Sequence, residues 1–242
     1  GLCAAILMRG GGVEDFGDLE LRVLGIAFAG GAVLPPILRP HESEAELPWW
    51  RRTATKMVVG VTGFSLLMNY FCTPYFFDVL HMHYGFASTI NIENNPVFLY
   101  LMTVAYFATY AVLVCAAYRF TQRALSPRFR WLGGLSVFVV AFLETALNAN
   151  PFMSGLFCFD DLRVMLWFGT LSYGLCFVFA LPVWLSIGRH RSHFQIVRDT
   201  FAAMLAIVMC FALLRHHVAP LVTTVEPNAQ NLRDYGDGCL AP

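Results

Sequence analysis

An all-α, polytopic transmembrane bundle is the fold class this sequence predicts, and three observations predict it. The 242 residues are 57% hydrophobic and only 13% charged, about half the charged share of soluble domains. Six apolar runs reach or approach the roughly 20 residues that a helix needs to cross a bilayer. They cover about 21–38, 57–78, 97–118, 131–149, 163–187 and 199–218. The loops between them alternate in charge. Residues 1–242 therefore form a single integral membrane domain, and a net charge of zero gives no sign of a nucleic-acid partner.

The elements follow in order. Gly1 to Met8 is apolar but too short to span, and reads as the end of an N-terminal spanning helix. The first full run closes on Pro35-Pro36 and is expected to be broken or tilted there. Arg39, Arg51, Arg52 and Lys56 fill the next loop, Arg119, Arg123, Arg128 and Arg130 the loop at 119–130, and Arg189, Arg191 and Arg198 the loop at 188–198. That is eleven of the sixteen basic residues, while 79–96 and 150–162 hold none. The positive-inside rule makes the basic loops cytoplasmic. The loops at 9–20, 79–96 and 150–162 and the polar tail at 221–242 then face the other side, which suggests seven helices in the whole protein. The membrane is the endoplasmic reticulum in a eukaryote or the inner membrane in a bacterium. The seven cysteines stand singly, which suggests neither a metal knuckle nor a disulfide framework.

Two stretches put polar groups inside apolar runs: Asn69-Tyr70-Phe71-Cys72-Thr73-Pro74-Tyr75-Phe76-Phe77, and Phe142-Leu143-Glu144-Thr145. An intramembrane carboxylate is expensive and is by default a functional site. At 1.5 Å per residue, Asn69 and Glu144 should lie at one level, just past mid-membrane. Tyr106, Thr109, Tyr110 and Tyr173 should reach a similar depth. The i, i+4 pairs Asn69/Thr73 and Glu144/Asn148 each share a helix face. A polar pocket between helices is expected. A neutral carboxylic acid in an apolar pocket is what acid catalysis on a hydrocarbon requires.

Each residue also has a plainer reading. Glu144 can be interhelical glue, and Asn69, Tyr70, Thr73 and Tyr75 can simply bond across helices. Phe71, Phe76 and Phe77 are lipid-facing or core in that reading. Asn94-Asn95-Pro96 reads first as a turn that starts a helix, and as a pocket lid second. His81 and His83 lie at a helix end, and two histidines alone make a weak metal site. Asp160 and Asp161 suit the N-terminus of the fifth helix and Asp199 that of the sixth. Arg215 snorkels or pairs with an outer-loop acid.

At these residues the chain resembles the cycloeucalenol cycloisomerase family, membrane enzymes of plant sterol synthesis. The resemblance runs through Asn69-Tyr70-Phe71, Thr73, Tyr75-Phe76-Phe77, Val79-Leu80, Tyr84, Phe86 and Asn94-Asn95. It resumes at Leu143-Glu144-Thr145, Ala149-Asn150, Asp161, Tyr173, Pro182, Asp199, Ala203-Met204-Leu205, Arg215 and Pro220. Cys72, Pro74 and Asp78 depart from the plant pattern, the loop after Asn150 is longer, and the sixth helix lacks an acid near Ala212. The resemblance implies an isomerase that opens the 9β,19-cyclopropane ring of a sterol drawn from the bilayer, giving a Δ8 alkene with no metal or redox cofactor. It makes Glu144 the acid, oriented by Asn69 or Asn148, with Tyr70, Tyr75 and nearby Phe facing the cation. The proton acceptor is left open between Glu144, a tyrosine-held water, His83 and Asp161. Thr73, Phe76, Tyr84, Tyr110 and Tyr173 would line the substrate, and Asn94, Asn95 and Asn150 would meet its hydroxyl. The other classes to weigh are a sterol- or lipid-binding membrane protein without chemistry and a proton-coupled transporter. The transporter would show internal repeats, and the sequence has none.

Overall fold

The computed structural model describes residues 12–13, 16–150, 153 and 155–223. The expected N-terminal remnant and most of the polar tail lie outside them. The described helices are α1 (Asp18–Leu38), α2 (Thr53–Leu80), α3 (Val97–Ala124), α4 (Ser136–Asn148), α5 (Leu162–Ser186) and α6 (His193–Val222). All but α4 are long and apolar enough to cross a membrane. The all-α bundle expected from the apolar runs is the fold observed.

Two expectations need correction. The first run is not broken at Pro35-Pro36: the prolines sit in the last turns of α1, where Arg39 N–H still donates to Pro35 O at 2.9 Å. The fourth run is not a full α-helical span. Its first part, Pro127–Leu135, is a 3₁₀ helix that holds Gly133-Gly134, and only the 13 residues of α4 are α-helical. At about 20 Å, α4 falls short of the hydrocarbon thickness of about 30 Å. Asn150 Nδ2 closes its end by donating to the carbonyls of Ala146 (3.1 Å) and Leu147 (2.7 Å).

Helices α2, α3, α4 and α5 surround the core, with α6 packed on α2 and α5 and α1 packed on α3. Close approach needs small residues. A Cβ on Gly25 of α1 would sit 2.8 Å from the Phe98 carbonyl oxygen of α3, and one on Gly174 would enter the Phe138 ring. The loops group by end. Lys56 Nζ donates to Arg189 O (2.8 Å), Arg189 Nη2 to Ser43 O (2.7 Å), and His193 Nε2 meets Trp50 O (2.6 Å). These contacts join the basic loops after α1 and α5. At the opposite end the two loops without basic residues pair as an antiparallel ribbon, β1 (Met82–Tyr84) with β4 (Phe157–Phe159). A second hairpin, β2 (Asn91–Ile92) and β3 (Asn95–Pro96), turns through Glu93 and Asn94, both at positive φ. This is the conformation of a two-residue type I′ connection.

The α1–α3 contact yields the first prediction. Gly25→Val should force the helices apart against backbone, which cannot move aside as a side chain can. A thermal midpoint in detergent lowered by several degrees checks it, and an unchanged midpoint would contradict the packing.

Candidate intramembrane site

Glu144 lies in the last turn and a half of α4, buried, with both carboxyl oxygens engaged. The Tyr110 hydroxyl of α3 donates to Oε2, and Asn148 Nδ2 donates to Oε1 at 2.6 Å. The i, i+4 spacing of Glu144 and Asn148 makes the second contact possible on one helix face. Thr145, on the neighbouring face, exchanges a 2.7 Å hydrogen bond with Thr170 of α5 and ties the two helices together.

Asn69 belongs to a second cluster. Its Nδ2 donates to Ser65 O (2.9 Å) and to Thr103 Oγ1 (2.5 Å), while its Oδ1 accepts from Asn95 Nδ2 at 2.8 Å. Asn95 also donates weakly to Thr73 Oγ1, at 3.4 Å. Asn69 therefore does not orient Glu144; Asn148 and Tyr110 do. The α3 partners of the two clusters, Thr103 and Tyr110, are seven residues apart, about 10 Å along the helix.

Both clusters face one cavity, lined among others by Asn69, Thr73, Phe76, Tyr84, Thr103, Tyr106, Tyr110, Glu144, Asn148 and Tyr173. It holds about 760 Å³ when its open mouth is counted. It is narrow, with a cavity volume proper of about 90 Å³. Met68, Met82 and Met165 are among the side chains that narrow it, and methionine adapts readily to a ligand. Tyr106 and Tyr110 stack at 6.2 Å, and Phe76 and Tyr173 meet at 4.9 Å, so the polar groups sit among aromatic faces. Met165 opens a π-helical turn, Met165–Gly169, at the start of α5, and such turns recur at functional sites.

The ribbon roofs this cavity. Strand side chains alternate between faces, and Met82, Tyr84, Phe157 and Phe159 all line the space. His83 and Cys158, opposite each other in the register, fall on the other face. His83 Nε2 meets Asp160 Oδ1 there at 3.1 Å. Cys158 is disulfide-bonded, against the expectation of single thiols.

Several expected site residues go elsewhere. Tyr70 follows Asn69 by one residue, about 100° around the helix, and is exposed beside Phe71. Tyr75 is buried but stacks on Phe211 at 4.1 Å and bonds Ser172 Oγ at 3.1 Å, joining helices rather than lining the cavity. Asp161 caps the start of α5, accepting from Arg163 and Val164 N–H. Asn94 is exposed in its turn, and Asn150 caps α4. Thr109 is exposed. Arg215 pairs with Asp78 at 2.8 Å, and Asp199 pairs with Arg191 and Arg198. Thr103 escaped the sequence reading, although Thr103, Tyr106 and Tyr110 recur at helical spacing on one face of α3. Among the described residues no group of three His, Cys, Asp or Glu side chains is placed to hold a metal ion.

The fold and site thus define a helical membrane protein with a buried carboxyl in an aromatic intramembrane cavity. Along nearly all its length the chain is similar to the cycloeucalenol cycloisomerase of Arabidopsis thaliana. The two are 27% identical over 249 residues, which cover 97% of this chain and 86% of the relative, itself an isomerase by name. No family model matches the chain. No solved structure matches it.

The Asn69 cluster generates the second prediction. Asn69→Leu removes the bonds to Asn95 and Thr103, leaving Asn95 only its long contact with Thr73, and should cost about 1–3 kcal/mol of stability, at roughly 0.6–1.7 kcal/mol for each bond across the bundle. Asn94→Gly, in a turn that favours glycine at positive φ, should leave the thermal midpoint unchanged or raised. The reverse order of effects would contradict the placement.

Proposed function

We propose that this protein is a membrane sterol isomerase of the cycloeucalenol cycloisomerase family, opening the 9β,19-cyclopropane ring of a cyclopropyl sterol to give a Δ8 sterol. The observation that carries the reading is the Glu144 carboxyl, held by Tyr110 and Asn148 at the wall of an aromatic cavity. The similarity to a plant isomerase supports the same class. Cyclopropane carbon is a feeble base, so the acid must be positioned and shielded from water. Glu144 gives its proton to C19, and positive charge develops at C9. The faces of Phe76, Tyr106, Tyr110 and Tyr173 stabilise that charge without forming a bond to it, at up to about 2 kcal/mol for a desolvated contact. The cluster of Asn69, Thr73 and Thr103 takes the sterol hydroxyl, in place of Asn94 and Asn150. Substrate comes laterally from the bilayer.

The orientation belongs to this proposal as well. The basic loops lie in the cytoplasm, and the ribbon with the Cys158 disulfide lies on the opposite side, where disulfides persist.

A general acid contributes about 10²–10⁴-fold. Glu144→Gln should therefore lower turnover of a cyclopropyl sterol at least 100-fold while sterol binding stays within a few-fold. Full turnover by this variant would make Glu144 interhelical glue. Saturable sterol binding without product from the unaltered protein would favour a binding protein.

A further inference from the structure

We infer that Glu144 carries both proton transfers, donating to C19 and then accepting the proton from C8; this rests on the isomerase reading above. Among the described residues lining the cavity, Glu144 is the only carboxyl group, and no His, Lys, Arg or Cys joins it there. The two other candidate side chains are turned away. His83 stands on the ribbon face opposite Met82 and Tyr84, against Asp160. Asp161 spends its carboxylate on the N–H groups that open α5. Among the described residues, the titratable groups that face Glu144 are phenols: Tyr106 and Tyr110 from α3, Tyr173 from α5 and Tyr84 from β1. The polar residues that helix α2 contributes are neutral Asn69 and Thr73, and β4 contributes only phenylalanines. Phenols ordinarily stay protonated to about pH 10, so they serve as donors and not as bases.

The surroundings of the carboxyl suit a group that loses a proton and regains it. Tyr110 donates to one oxygen and Asn148 to the other, so the carboxylate left after the first step is met by two hydrogen bonds. The substrate suits it too. C19 and C8 are both bonded to C9, so the carbon that gains a proton and the carbon that loses one are close neighbours. In the first step the Glu144 O–H bond breaks, and the electron pair of the C9–C19 bond takes the proton to form the new methyl group. C9 is left cationic and Glu144 ionised. In the second step the carboxylate removes the C8 proton, and the C8–H pair becomes the C8=C9 double bond. Glu144 is again a carboxylic acid. Atoms and electrons balance with no second reactant.

The pH dependence of kcat/KM tests this on the purified full chain, because separate acid and base groups give a bell and a single group gives one limb. The expected profile is level at low pH with one descending limb as Glu144 ionises in the free protein. His83→Gln and Asp161→Asn should keep that profile and stay within threefold in turnover. Asp161→Ser, which retains an N-cap acceptor, replaces Asp161→Asn if the latter fails to fold. The inference is overturned if the unaltered protein shows an ascending limb that either substitution removes. It is equally overturned if either variant, folded with an unchanged thermal midpoint, loses turnover 100-fold. Absence of product from the unaltered protein at every pH sinks the isomerase reading instead.

Discussion

A carboxyl group placed at the depth of a bilayer must find its hydrogen bonds inside the protein, because the hydrocarbon offers none. The contact of Glu144 with Tyr110 and Asn148 meets that demand, and much of the bundle follows from it. Asn148 reaches Oε1 because it stands one turn further along the same helix. Tyr110 reaches Oε2 from the middle of α3, which packs on α4.

The cavity lies between α2, α3, α4 and α5, and the ribbon lines one end of it. Chain from both loops without basic residues meets there as β1 and β4. Strand alternation then sorts the side chains, sending Met82, Tyr84, Phe157 and Phe159 to the cavity and His83 and Cys158 away from it. The Asn69–Asn95 contact fastens α2 to the β2–β3 hairpin just below this roof. The polar residues along the cavity thus have two roles. One cluster joins α2 to α3 and the β2–β3 hairpin, and in the other Tyr110 and Asn148 meet the carboxyl of Glu144.

The helices were legible in the sequence because their apolar runs are long and bounded by charged or turn-forming loops. Glu144, Asn148 and Tyr110 were legible for a related reason: polar groups at helical spacing inside such runs stand out. The short fourth helix was not, since Gly133-Gly134 weakens an α-helix without marking where it begins. Helical phase also hid the roles of Tyr70 and Tyr75, which follow cavity residues by one or two positions and therefore point elsewhere. Asn94 and Asn95 divide in the same way, the first in the turn and the second buried against Asn69. The ribbon and the reversed face of His83 arise from pairing across some seventy residues, which no local pattern records.

The central claim is that the cavity delivers a proton to a cyclopropane carbon. The most direct measurement uses protein equilibrated in D₂O and in molar excess over cycloeucalenol, with the sterols analysed by mass spectrometry. The account predicts a Δ8 product that carries one deuterium in its new C19 methyl group. Recovery of unchanged cycloeucalenol, or a product with no deuterium at C19, would contradict it.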